Sequence, residues 1–147
     1  MRQYRSTAIC AGLVMLALLT TACPTSNELD AAAKASNELS HDVLTANRVV
    51  AEFYKSGKMP LAAKDKIADK LGIIGSKGEA FNNVLIELDK KYPQGTLPPQ
   101  DLSFVRSNLS ELRQLYAGVL ADLLPFKAQK AVSSLDQHLS TIEKAVK

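Results

Sequence analysis

Cysteine and histidine are scarce, with two of each in 147 residues. That is too little thiolate for a disulfide framework. Long apolar runs are missing as well. The longest, from Ala8 to Leu19, is about a dozen residues and gives way to Thr20, Thr21 and Pro24, against the ~18 or more that a membrane-spanning helix requires. No block of like charge points to a disordered tail or a nucleic-acid-binding arm.

The N-terminus carries a pattern of its own. Arg2 and Arg5 precede the apolar stretch, and the small residues Thr20, Thr21 and Ala22 follow it, which is the three-part layout of a secretory signal. The stretch Leu19-Thr20-Thr21-Ala22-Cys23 then resembles the lipobox of bacterial lipoprotein precursors. Thr20 stands where that family most often has leucine, with Leu19 one place too early.

The resemblance covers residues 1–23 only, and it implies processing. Residues 1–22 are expected to be removed as a signal peptide, leaving Cys23 as an acylated N-terminus that binds membrane lipid. Cys10 has no room for an apolar region ahead of it and leaves with the signal, so Cys23 has no disulfide partner in an exported chain. Each buried acyl methylene contributes about 0.8 kcal/mol to membrane binding. The expected location is the cell envelope. Pro24, standing where inner-membrane lipoproteins often have aspartate, favours the periplasmic face of the outer membrane in an organism with two membranes.

Removal of the signal leaves 125 of the 147 residues, one domain's worth. Residues 23–26 make a short tether and 27–147 the domain. Loss of Arg2 and Arg5 takes the net charge from +3 to +1, so no basic surplus argues for a nucleic-acid partner.

From Leu29 onward, apolar or small residues recur at steps of three and four: Leu29, Ala32, Ser36, Leu39, Val43, Ala46, Val50 and Phe53. That spacing keeps them on one face of a helix. Thr25 and Glu28 offer a capping box at its start, and Gly57 with Pro60 marks its end. A second stripe runs Ile67, Leu71, Ile74, Gly78, Phe81, Leu85, Leu88 and Tyr92, opening near Pro60 and closed by Pro93 and Gly95. A third, after the turn-rich PQGTLPP, runs Leu102, Val105, Leu109, Leu112, Tyr116, Val119 and Leu123. Val132, Leu135, Leu139, Ile142 and Val146 make a shorter fourth.

The prediction is an all-α, up-and-down helical bundle of three to four amphipathic helices, packed at shallow crossing angles. Pro125 interrupts the pattern, because proline removes a helical hydrogen bond and clashes with the preceding turn. Residues 99–147 form either one kinked helix or two. A single helix would run roughly 70 Å and overhang its partners, which favours two.

Several stretches invite a chemical reading. Gly72, Gly75 and Gly78 have neither the order nor the strand context of a phosphate loop. They either break the helix, with Ser76 and Glu79 capping a new one, or let a neighbouring helix approach closely; the unbroken apolar phase favours the second. Glu38 and His41 supply half of the pattern of a di-metal bundle, but His138 has Leu135 where its glutamate would stand, and Glu38 and His41 face away from the core. The Lys55-Ser56-Gly57 triplet has no serine-x-x-lysine partner, and an acylated Cys23 is no nucleophile. No catalytic residue, metal ligand or cofactor is predicted.

The expected role is therefore a protein-interaction or envelope-structural module. The alternative is a carrier of an apolar or lipid ligand, in space freed by the glycines and alanines of the first two stripes. A short tether puts the KKYPQGTLPP turn and the C-terminal end beside the lipid, with Lys90, Lys91 and Tyr92 snorkelling. Met59, Leu124 and Phe126, at the opposite end, are then candidates for a partner surface or caps on the core. The oligomeric state is open.

Overall fold

All the stripe positions read from the sequence are buried or half-buried, and they meet in one core. The computed structural model describes residues 26–94 and 96–146. The Thr25 end of the expected capping box, the signal sequence and Cys23 lie outside the described residues. Four helices follow one another, α1 (Ser26–Lys55), α2 (Leu61–Lys91), α3 (Pro99–Leu123) and α4 (Ser133–Ala145), with no strand among the described residues. At 1.5 Å per residue the 30 residues of α1 extend ~45 Å. Each helix packs on its sequence neighbour, and α4 closes the ring against α1. None of the helices is long and apolar enough to cross a membrane.

The ends of α1 and α3 share a chemistry. At the end of α1, Gly57 adopts a positive φ of 71°. Its N–H donates to the Tyr54 carbonyl at 2.9 Å and the Lys58 N–H to that of Phe53 at 3.0 Å, the paired bonds of a Schellman cap. After α3 the chain tightens into a single 3-10 turn, Leu124–Phe126, and Lys127 takes the left-handed position with φ 55°. The Lys127 and Ala128 N–H groups then donate to Leu124 and Leu123. Residues 99–147 are thus two helices, separated where Pro125 cannot continue the first, and a second 3-10 turn, Gln129–Val132, leads into α4.

Two connections each drop one apolar residue into an end of the core. Met59, before α2, is 3% exposed and Leu97, before α3, 1%. They shield the ends of the helical stripes from water, and each buried side chain of that size contributes about 1.5–3 kcal/mol.

α2 is continuous through its glycines. An ideal Cβ at Gly78 would lie 3.3 Å from the Cβ of Leu39, and one at Gly75 3.5 Å from a Val43 methyl carbon, whereas one at Gly72 would meet nothing within 4 Å. Gly75 and Gly78 are therefore points where α1 lies close on α2. The fully buried Ser36 hydroxyl donates to the Gly78 carbonyl at 3.1 Å across this seam.

Candidate functional site

Polar side chains tie three of the four helix seams, besides the Ser36 bond. Between α2 and α3, Lys66 and Lys70 converge on Asp122 at 2.8 and 2.5 Å. Between α3 and α4, the Arg113 guanidinium donates to Asp136 at 2.7 Å, Ser140 at 2.8 Å and Glu143 at 3.2 Å. Between α4 and α1, His138 Nδ1 lies 2.6 Å from an Asp42 carboxylate oxygen. An ionised carboxylate only accepts, so the ring nitrogen carries the proton in this bond.

Hydrogen bonds from Lys66 and then Lys70, reinforced by their charges, hold the Asp122 carboxyl below its ordinary value against the opposing effect of burial. A carboxyl depressed in the folded state stabilises the fold fully above its unfolded pKa of about 3.9 and loses that contribution as pH falls through the folded value. Asp122→Asn should therefore be less stable than the native chain at neutral pH, with the gap closing on acidification below about pH 4. Urea unfolding of both proteins across that range checks this; a gap constant with pH would show that the carboxylate charge is not what stabilises the seam.

The residues singled out in the sequence separate on the fold. Met59 is buried and belongs to the core, which removes it from any docking surface. Leu124 is 56% exposed, and Phe126 is half-buried against the core. Glu38 and His41 both face solvent. Among the described residues no group of three or more His, Cys, Asp or Glu side chains is placed to hold a metal ion. Tyr92 is tied into the fold, its hydroxyl donating to Asp101 at 2.7 Å, so it is not a free snorkelling residue. The Lys91 ammonium stands 3.6 Å from the same carboxylate.

The space beside Gly75 and Gly78 is taken by Val43 and Leu39. A larger hollow of about 410 Å³ opens instead between α3 and α4, with Leu109 and Val146 on its floor and Arg106, Arg113 and Glu143 at its rim. The Arg106 Nε–H is already used on the Val146 carbonyl at 2.9 Å, and Arg113 on its three α4 partners. These cations are committed to the fold.

The end shared by the α1–α2 and α3–α4 connections differs from the rest of the surface. Lys55, Lys58, Lys64, Lys66, Lys127 and Lys130 gather there against Glu52, Asp65, Asp122 and Asp136. Tyr54, Leu61 and Leu124 are exposed in the same region. Lys58 stands 5.7 Å from the Phe53 ring centre and Lys64 5.5 Å from that of Tyr54. The sequence stripes do not show this grouping, because it joins two connections about seventy residues apart. The fold and its surface thus define a four-helix up-and-down bundle with a basic, partly apolar end. No family model matches the chain, and neither curated proteins nor solved structures give a match.

Proposed function

We propose that the chain is a membrane-anchored helical lipoprotein of the bacterial cell envelope, whose body serves as a protein-interaction or envelope-structural module. One observation carries the reading furthest. α1 is already helical at Ser26, so only Pro24 and Thr25 stand between it and Cys23. The three steps from Cys23 to Ser26 span at most ~11 Å, and an acylated Cys23 would hold the start of α1 close to the bilayer. The envelope location and lipid attachment follow from the lipobox resemblance.

The intact mass and N-terminal peptide of the membrane-fraction protein test it, beside a Cys23→Ser variant. A chain starting at an acylated Cys23, with the serine variant released from the membrane, is the expected result. An unmodified N-terminus would remove the anchor, and with it the orientation of the bundle.

A further inference from the structure

We propose that the end of the bundle formed by the α1–α2 and α3–α4 connections, where Leu61 and Leu124 stand among six lysines, is the docking surface for an acidic face of a partner protein. The inference rests on the interaction-module reading and names where the partner binds and by what chemistry.

Charge distribution is the first ground. Six lysines against four acids give this end a charge of +2. The remainder of the chain after residue 22 has ten basic and eleven acidic residues, hence −1. A polarised molecule of this kind steers an oppositely charged partner to one end.

Helix stability explains only part of the cluster. Lys55 and Lys127 sit at helix C-terminal ends, where the backbone dipoles favour cations. Lys64 lies in the first turn of α2, which has no acid, and Lys130 lies in the turn that leads into α4. At the start of α2 the dipole favours an acid, so Lys64 stands against that preference, met only by the neighbouring Asp65 at 2.9 Å. Among the described residues, Lys55, Lys127 and Lys130 have no carboxylate partner.

Apolar exposure is the second ground. Leu61 is 50% exposed and Leu124 56%, and neither is needed to close the core, which Met59 already seals. Apolar anchors inside a charged rim are the anatomy of a protein interface. A bilayer is the other surface such a mixture would suit, but the proposed anchor sets the membrane at the opposite end of the bundle.

The test is photo-crosslinking in the native host, with a photoreactive phenylalanine at Leu61 or Leu124 of the full chain and a control at Ile73, exposed on α2 away from this end. Both end positions should yield one discrete protein adduct, joined through a peptide with a surplus of Asp and Glu. Combining Lys55→Glu, Lys127→Glu and Lys130→Glu should reduce its yield at least tenfold, with an unchanged thermal melt showing that the bundle still folds. No adduct, the same adduct from Ile73, an adduct indifferent to charge reversal, or crosslinks to phospholipid would each overturn the proposal. The N-terminal peptide mass, taken from the same cells, separates the two readings: acylated Cys23 without an end-specific adduct leaves the anchor standing and removes only the acidic partner.

Discussion

Gly78→Leu should lower the unfolding free energy by about 1–3 kcal/mol, while Gly72→Ala, in the same helix, should raise it by about 0.5–1 kcal/mol. The two substitutions separate intrinsic helix preference from packing. Glycine is the weaker helix former at both positions, so propensity alone predicts a gain from each. At Gly72 nothing lies within 4 Å of the added Cβ and the gain is realised. At Gly78 the Cβ alone would sit 3.3 Å from one Leu39 atom and 3.4 Å from another, and the rest of a leucine side chain has to enter the core. α1 must then move away, which also stretches the 3.1 Å bond from Ser36 to the Gly78 carbonyl. Urea denaturation of both variants measures the difference. A Gly78→Leu protein as stable as the parent would mean that the two helices are not held at close approach.

The second large effect is expected at the α1–α4 seam. His138→Ala should destabilise the bundle by about 1–3 kcal/mol, the cost of leaving a buried acceptor without its donor. Asp42 is only 8% exposed and His138 supplies its 2.6 Å contact; the His138 side chain is itself 29% exposed, so water reaches part of the space it leaves and the loss falls toward the lower end of that range. Replacing both residues, as Asp42→Leu with His138→Leu, removes the polar groups together and should recover most of the loss, because a desolvated pair is frequently matched by an apolar one. A double-mutant cycle isolates the coupling. Strictly additive single losses would show that the two side chains act independently, despite their distance.

Much of this architecture was legible because a core position in a helix repeats at three and four residues. Leu29 to Val50, Ile67 to Leu88, Leu102 to Leu123 and Val132 to Val146 needed only that rule, and Pro125 separated the last two helices. Burial outside the stripes was not legible. Met59 and Leu97 lie in connections with no period to betray them, and for that reason Met59 could be read either as a partner-surface residue or as a cap on the core. Asp42, one residue before Val43, has the wrong polarity for a core position, and its partner is 96 residues away. The basic end escaped for a related cause. Its lysines are spread through two short connections and the turns beside them, and only antiparallel folding brings them to one place.

The first turn of α1 and the last turn of α4 line one shallow hollow, shared by Glu28, Ala31, Thr141, Lys144 and Ala145. The path of the described residues therefore finishes beside the point where it starts. A circular permutant, opened at Gly57 and joined by a linker at the opposite pole, would retain every seam and every buried side chain. It would also stand upside down relative to whatever grips its first residue. Packing energy is indifferent to that inversion, so which pole is presented outward is decided by the order in which the helices are strung and not by how they fit together.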